Sequence, residues 1–312
     1  MKTLNLINLE ESTIKYKINN YPDGQRDINI DLESLYDVSM YKENYKNNVA
    51  TIKSRLNNME DLGLIICTTQ ALYNLGVKEI HLYVPYIMGL RSDRLFVGGG
   101  VRYIKDVLAP ILNSQNYESV TCYDAHSYVA ENCINRLKVI SNIDLIRFSI
   151  RNIYQPLTEN STQRDWILIA PDAGASHKIY KSAEAIGYTG DIIICSKERD
   201  ANGKLTKTTV PLTSHCSVKD LIIIDDICDG GNTFINIAIE IDNYKKKLIS
   251  NGGAWSGKLY LIVTHGIFSA GYANLSKYFD GMYCTNSYKH ISQKEYHALG
   301  NTKTNVKQLN IF

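Results

Sequence analysis

Three acids and a short glycine-containing loop follow an aliphatic run in residues 221–234, which read LIIIDDICDGGNTF. The aliphatic run is too short for a helix and predicts a strand that is buried on both faces. Asp225, Asp226 and Asp229 supply carboxylates that accept hydrogen bonds from ribose hydroxyls or hold a metal ion. Residues 230–233 and the helix predicted after them offer backbone N–H groups to a phosphate. The segment therefore predicts an anion-and-sugar site, with a solvated strand–loop–helix corner as the alternative.

Two cations and two further polar residues also follow predicted strands. Lys197 and Arg199 open a polar stretch, and two cations placed there can stabilise negative charge on a bound anion. The alternative is that the same stretch is a solvated hairpin with no functional role. His126 and Asp172 come shortly after other strands, and a lone histidine is more often a structural hydrogen-bonding residue than a ligand.

The elements that must position these residues alternate between short aliphatic runs and helical patterns, which is typical of βαβ units. Strands are predicted at residues 4–9, 28–32, 50–53, 79–84, 119–123, 166–170, 191–195, 206–210, 221–224, 258–263 and 281–284. Helices are predicted at residues 59–75, 101–113, 143–154, 176–186, 233–250 and 272–279. The two halves share this rhythm, so we predict domains at 1–142 and 143–312. The pattern after residue 287 is too weak to assign.

Composition limits the classes of function. The 312 residues suffice for two domains, and 21% charged with 44% hydrophobic residues is typical of soluble proteins. A net charge of +2 without a long basic run gives no reason to expect a nucleic-acid partner. Seven scattered cysteines without C-x-x-C spacing indicate a reducing cytoplasm, that of a host if the protein is phage-encoded. The N-terminal residues contain no signal-peptide core or transmembrane run, so no membrane partner is expected.

The acidic segment resembles the phosphoribosyl-binding motif of type I phosphoribosyltransferases and of ribose-phosphate diphosphokinases (PRPP synthetases). In that motif two acids bind the ribose hydroxyls and the next loop holds the 5-phosphate. The resemblance assigns ribose-phosphate binding to Asp225, Asp226, Asp229, Gly230, Gly231, Asn232 and Thr233. The loop departs from the family at residues 230–232, where Thr, a small residue and Gly are usual.

Two N-terminal stretches resemble the ATP-binding elements of PRPP synthetases. Residues 21–25 (YPDGQ) resemble F-x-D-G-E, a loop that reaches a neighbouring subunit's ATP site, although the same residues alone read as a turn. The resemblance implies that Tyr21 stacks on adenine, that Asp23 accepts from its amino group, and that Gln25 replaces a Glu. Residues 91–94 resemble R-Q-D-R, which assigns ATP contacts to Arg91, Ser92, Asp93 and Arg94, with a surface ion-pair cluster as the alternative. The glycine-rich residues after them depart from the family's allosteric region, so ADP regulation is not expected.

The remaining motifs concern the metal and the catalytic loop. His126 matches the D-L-H histidine that ligates ATP-bound Mg²⁺, and Asp172 matches the S-P-D-x-G acid that binds magnesium or ribose. Lys197 and Arg199 match the K-x-R that opens the family's flexible catalytic loop. Residues 264–269 (THGIFS) match T-H-G-x-F-S, which anchors the alignment rather than supplying chemistry.

These motifs occur in family order and imply two α/β domains of phosphoribosyltransferase type, each a mainly parallel sheet flanked by helices. The N-terminal domain would hold ATP and the C-terminal domain the ribose phosphate and catalytic loop. The implied reaction moves the β,γ-diphosphate of MgATP to the anomeric hydroxyl of ribose 5-phosphate, with Mg²⁺ as cofactor. The resemblance also implies a homo-oligomer built from dimers, with a hexamer as one form.

Two alternatives remain open. The chain also resembles phage NAD⁺-reconstitution enzymes, which place the diphosphate on the terminal ribose of ADP-ribose, and the altered loop at 230–232 favours such a substituted phosphate. The other alternative is a non-catalytic regulatory protein associated with PRPP synthetase. Lys197, Arg199 and the three acids are intact, which argues against the regulatory protein.

Overall fold

The computed structural model describes residues 2–36, 49–93, 95, 98–154, 165–199, 205–292, 295 and 304–312. The chain divides into two compact units, Met1–Ser141 with Phe312 and Asn142–Ile311. Asn142 belongs to the second unit, where its Oδ1 accepts a hydrogen bond from Ser182 at 3.2 Å. In the described part of the chain, no helix combines the length and apolar character needed to cross a membrane.

The first unit is built on a five-stranded parallel sheet. Its strands are β1 (Lys2–Asn5), β4 (Val49–Lys53), β5 (Glu79–Tyr83), β6 (Ser119–Tyr123) and β7 (Leu137–Ile140), adjacent in that order. A separate antiparallel hairpin is formed by β2 (Tyr16–Asn20) and β3 (Arg26–Ile30). The helices are α1 (Leu32–Leu35), α2 (Met59–Asn74), α3 (Ala109–Ser114) and α4 (Tyr128–Cys133).

The second unit is built on a six-stranded parallel sheet. Its strands are β8 (Trp166–Ala170), β9 (Ile192–Ile194), β12 (Asp220–Cys228), β13 (Leu259–Gly266), β14 (Gly281–Thr285) and β15 (Asn305–Leu309). Across the sheet the order is β15-β14-β13-β12-β8-β9. An antiparallel hairpin is formed by β10 (Ser196–Arg199) and β11 (Leu205–Thr209). The helices are α5 (Ile143–Tyr154), α6 (Ser176–Ile186) and α7 (Asn232–Ser250).

The central strand β12 is buried on both faces, as its aliphatic run predicts. Leu221 and Ile223 pack in the core that includes α7, whereas Ile222 and Ile224 pack in the core that includes α5 and α6. Each such buried side chain contributes about 1.5–3 kcal/mol of apolar burial. Packing on both faces fixes the position of β12 and therefore of the acids that follow its aliphatic residues.

Several predicted boundaries are wrong for identifiable reasons. The first strand ends at Asn5, because Asn5 Oδ1 accepts from the N–H groups of Ile7 and Asn8 and turns the chain. The helix predicted at 101–113 is π-helical over Tyr103–Leu108 before α3. A regular α-helix there is disfavoured because the ring of Pro110 would clash with the carbonyl of Asp106, four residues earlier.

Two corrections concern the second unit. The strand predicted at 221–224 continues to Cys228, because β13 runs beside it and pairs with it up to Gly266. Where a helix is predicted at 272–279, the structure has only a 3₁₀ turn over Leu275–Lys277. This compact turn already buries the apolar residues Tyr272, Leu275 and Phe279 in the core. The unassigned C-terminal segment contains β15.

Candidate active site

The order of strands in the second unit reverses between β8 and β12. The chain leaves β8 for β9 on one side and later returns to β12 on the other side of β8. In open parallel sheets such a reversal opens a crevice at the carboxyl ends of the strands, where ligands bind. Asp172 follows β8, and Asp225 and Asp226 lie near the end of β12, so the topology brings these acids to the same edge.

Asp172 caps the short 3₁₀ turn that follows β8. Its Oδ1 accepts from the N–H of Ala175 at 3.1 Å, and Lys197 Nζ donates to its Oδ2 at 2.7 Å. Partial burial alone would raise the pKa of Asp172, but the Lys197 hydrogen bond and charge outweigh burial and hold that pKa below its ordinary value. Asp172 is therefore an ionised carboxylate that is 40% exposed and accessible to a ligand.

Lys197 lies on β10 of the hairpin, where it is paired with Thr208 of β11. Only 11% of its side chain is exposed, so its ammonium group is held against Asp172 rather than solvated. Lys207 on the same hairpin is exposed and lies 3.7 Å from Glu198. Burial raises the pKa of the nearby Cys195 to about 12, so that thiol is not a nucleophile at neutral pH.

Asp225 and Asp226 are adjacent and differ in environment. The N–H of Asp226 donates to Asp225 Oδ1 at 2.9 Å, and Lys178 Nζ lies 3.4 Å from Asp226 Oδ2. Burial, and after it the charge of Asp226, raise the pKa of Asp225 well above its ordinary value. Asp226 is therefore a carboxylate stabilised by a lysine, whereas Asp225 beside it tends to be protonated.

The loop after β12 leads directly into α7. Gly231 has φ +83° and precedes the first helical residue, Asn232, without a side-chain cap. The N–H groups of Phe234 and Ile235 donate to Gly231 O, both at 3.0 Å. In the part of the chain that the structure describes, the N–H groups of residues 230–233 donate no hydrogen bond to protein. Together with the positive end of α7, these are groups of the kind that bind a phosphate.

The ATP-binding residues predicted in the first unit come from two adjacent strands and a hairpin. Arg91, Ser92 and Asp93 follow β5, whereas the exposed His126 follows β6, and the two strands are paired. Backbone hydrogen bonds from Val84 to Thr121 and from Tyr123 to Pro85, both 2.9 Å, hold the starts of these loops together. The two loops therefore begin at one edge of the sheet.

The hairpin turn at residues 21–25 is stabilised by its own polar groups. Asp23 Oδ1 accepts from the N–H of Gln25 at 3.1 Å, and Tyr21 exchanges backbone hydrogen bonds with Gln25 and Gly24. The Tyr21 ring is 47% exposed and is presented at the tip. The turn displays these side chains, while β3 packs on α2.

Two predicted site residues cannot be placed, and two functional candidates were not predicted. Arg94 and the Arg199 side chain lie outside what the structure describes. Lys178 on α6 contacts Asp226, and Ser269 Oγ donates to Asp229 Oδ1 at 2.6 Å. Ser269 lies in the T-H-G-x-F-S match, to which the resemblance assigns no chemistry. Nothing in the sequence distinguishes Lys178, because a lysine on a polar helix face is ordinary.

Comparisons with known proteins point in one direction. The chain is 27% identical over 218 residues to "Ribose-phosphate pyrophosphokinase 2" of Archaeoglobus fulgidus, covering 70% of this chain and 67% of the relative. It is 28% identical over 171 residues to "Ribose-phosphate pyrophosphokinase" of Saccharolobus solfataricus, covering 53% of each. These alignments thus span about half to two thirds of the relatives' lengths. No family model matches the chain.

A solved structure shares the fold. The phosphoribosylpyrophosphate synthetase of Mycobacterium smegmatis superposes with a TM-score of 0.70 and 16% identity. The superposition covers 96% of this chain and 88% of the other. The expected α/β architecture of mainly parallel sheets flanked by helices is confirmed.

Proposed function

Because this chain belongs to the ribose-phosphate pyrophosphokinase (PRPP synthetase) family, we propose that it is a diphosphotransferase acting on ribose 5-phosphate. The β,γ-diphosphate of ATP moves to the anomeric hydroxyl, which gives 5-phosphoribosyl 1-diphosphate (PRPP) and AMP. ATP is bound by the first unit, through Arg91 and His126 among others, with Tyr21 contributed by a neighbouring copy of the chain. The sugar phosphate is bound by the second unit.

The observation that carries the proposal is the set of groups at the carboxyl ends of β8 and β12. A ribose 5-phosphate has two vicinal hydroxyls that donate hydrogen bonds and a dianion that accepts them. Asp225 and Asp226 offer acceptors for the hydroxyls, and the N–H groups of residues 230–233 offer donors to the dianion. Lys197 at Asp172 places a cation beside the same crevice.

Magnesium fits this site only as a sparsely held ion. Among the described residues there is no group of three or more His, Cys, Asp or Glu side chains that would hold a metal by themselves. Mg²⁺ needs only one or two carboxylates when substrate phosphates and waters complete its shell, and the partly exposed, ionised Asp172 is suited to that role. His126 would hold the magnesium that accompanies ATP. When bound, the ion neutralises phosphate charge and orients the diphosphate.

The chain's own residues position the acceptor and stabilise charge. Asp225 and Asp226 orient the ribose so that its anomeric oxygen attacks the β-phosphorus in line with the departing AMP oxygen. The new bond joins that oxygen to the β-phosphorus, the bond from the β-phosphorus to the bridging α-phosphate oxygen breaks, and the hydroxyl proton is released to solvent. Lys197, with Arg199, stabilises the negative charge that builds on the phosphate oxygens. To do so, the Lys197 ammonium exchanges the Asp172 carboxylate for phosphate.

ADP-ribose is the second acceptor to consider, because the phosphate loop leaves room at residue 230. A Cβ added at Gly230 would have only Ser269 Oγ near it, at 4.0 Å, and the first helical residue Asn232 is exposed. Gly230 lacks the hydroxyl that would select a terminal dianion, so a diester has space to extend past the loop. The same diphosphate transfer would then place the group on the terminal ribose of ADP-ribose.

The acceptor is tested by comparing kcat/KM for ribose 5-phosphate and ADP-ribose in the natural protein and in the double variant Gly230→Thr, Asn232→Gly. The open space at residue 230 allows threonine without a clash, so the variant is expected to fold. Restored selection for ribose 5-phosphate in the variant would support the loop as the selector. A strong preference for ribose 5-phosphate in both proteins would rule out ADP-ribose as the acceptor. If no AMP is released with either acceptor, the proposed function is contradicted.

A further inference from the structure

Lys178 lies where a helix does not favour a cation. It is in the first turn of α6, which begins at Ser176 without a side-chain cap and has no acidic residue in that turn. The amino end of a helix carries partial positive charge, so a lysine there weakens the helix unless a carboxylate compensates. Asp172 caps the 3₁₀ turn just before α6, but its carboxylate is paired with Lys197, so the carboxylate beside Lys178 comes from another element.

The compensating carboxylate belongs to Asp226 of β12. Side chains alternate between the faces of a strand, and Ile222 and Ile224 already pack in the core formed with α5 and α6. Asp226 is the next residue of that face, which brings its Oδ2 to 3.4 Å from Lys178 Nζ. The Asp226 side chain is 4% exposed, so this contact differs from a solvated surface pair that would contribute little.

The pairing gives the two acids of β12 different partners. Asp225 lies on the alternate face and accepts the N–H of Asp226 at 2.9 Å. Two neighbouring carboxylates repel, and the Lys178 cation beside Asp226 favours one arrangement of the pair. Removing the cation from beside a buried carboxylate favours rotation or protonation of that carboxylate.

We propose that Lys178 is a positioning residue that holds the Asp226 carboxylate in the orientation that accepts a hydrogen bond from a ribose hydroxyl. The inference rests on the proposed function, which places the sugar at this pair. Lys178 acts through Asp226 and binds no substrate atom itself. The phosphate is held separately, by the N–H groups of residues 230–233, so loss of Lys178 affects the sugar and spares the phosphate.

The test is calorimetric titration of the full-length protein with ribose 5-phosphate, and with inorganic phosphate as a probe that lacks the sugar. The variants are Lys178→Met, which keeps the stem and removes the charge, Lys178→Arg, which keeps the charge, and Lys181→Met. Lys181 is exposed on the same helix and controls for the loss of one positive charge. Circular dichroism checks folding, and Lys178→Gln replaces the Met variant if that variant does not fold.

We expect Lys178→Met to weaken ribose 5-phosphate binding by about tenfold or more, since a hydrogen bond to a charged group is lost. Lys178→Arg and Lys181→Met should stay within about threefold of the natural protein, as should the affinity of every variant for inorganic phosphate. Equal binding of ribose 5-phosphate by Lys178→Met and the natural protein would overturn the inference alone. A loss of phosphate affinity in parallel would also overturn it, because it would indicate general damage. Failure of the natural protein to bind either ribose 5-phosphate or ADP-ribose would instead refute the proposed function.

Discussion

Two of the carboxylates in the crevice of the second unit have a lysine beside them, Lys197 at Asp172 and Lys178 at Asp226. A carboxylate in a crevice loses hydration, and a paired ammonium group compensates for part of that loss. The two lysines differ in what they can do next. Lys197 is on a hairpin and can exchange its carboxylate for a phosphate, whereas Lys178 is anchored in a helix.

Lys197→Ala should lower kcat by about two or more orders of magnitude, because a preorganised cation that stabilises transition-state charge contributes on that scale. ATP binding should change much less. Lys207→Ala is the matched control, since Lys207 lies on the same hairpin, is exposed, and faces Glu198 instead of the crevice. Steady-state kinetics with MgATP check this, and near-normal turnover in Lys197→Ala would remove Lys197 from the mechanism.

Asp225→Asn should stabilise the fold near neutral pH. The pKa of Asp225 is raised by burial and by Asp226, so its protonated form stabilises the fold at low pH, and this contribution is lost as the pH rises through the raised value. Asparagine never ionises and keeps the oxygen that accepts the N–H of Asp226. We expect Asp225→Asn to raise the Tm by about 2–4 °C at neutral pH. At pH values below about 3.9, the pKa of Asp in the unfolded chain, the Tm should change little.

Thermal unfolding across that pH range measures the effect of Asp225→Asn. Asp144→Asn, at an exposed position of α5, is the control and should change the Tm little at any pH. A Tm difference for Asp225→Asn that does not grow as the pH rises would contradict this account of Asp225.

At the scale of elements, the junction of β12 and α7 depends on one glycine. Gly231 has φ +83°, and a Cβ there would lie 3.2 Å from Leu275 Cδ2. Gly252, at the other end of α7, has the same φ with nothing within 4 Å. An alanine in this left-handed region costs about 1–2 kcal/mol at either position. Gly231→Ala should therefore lower the free energy of unfolding more than Gly252→Ala, because of these two positions only residue 231 would place a Cβ against Leu275.

Chemical denaturation of the two alanine variants tests this comparison. Gly230→Ala serves as a second control, since residue 230 has no positive φ and an open environment, and its stability should stay close to that of the natural protein. If Gly231→Ala and Gly252→Ala lower the free energy of unfolding equally, the contact with Leu275 adds no destabilisation and this account is contradicted.

The sequence predicts strongly periodic elements and misses those that depend on distant partners. The aliphatic runs of β8 and β12 and the long pattern of α2 identify these elements, with errors of only a few residues at their ends. The end of β12 is set by pairing with β13, and no local pattern reports that. β15 has mixed composition and becomes a strand because it pairs with β14.

The candidate site shows the same division. Motif order predicts the acids and Lys197 as site residues, because their types suit one chemistry and they follow strands. Lys178 is found only from the folded chain, since its role comes from the face of β12 on which Asp226 lies. The sequence pattern indicates which face of β12 is buried, but it does not show that Lys178 of α6 lies against that face.

For the whole molecule, the exposed Tyr21 at the tip of its hairpin leads us to expect an oligomer. In the resembling family the matching loop completes a neighbour's adenine site, so we predict a multimer built from dimers whose activity falls on dilution. Tyr21→Ala should raise the KM for ATP while leaving the acceptor KM near its natural value. Analytical ultracentrifugation combined with assays at the same concentrations checks this, and a fully active monomer would overturn it.

The central claim is that the chain transfers a diphosphate as one unit, and the products of a single incubation test it most directly. The natural protein is incubated with MgATP and ribose 5-phosphate, with ADP-ribose in a parallel sample, and the products are resolved by mass spectrometry. The account predicts AMP and a sugar phosphate heavier by one diphosphate in equal amounts, with neither product formed by Lys197→Ala beyond about one hundredth of the natural rate. Release of ADP with a singly phosphorylated product, or no product from either acceptor, would contradict it.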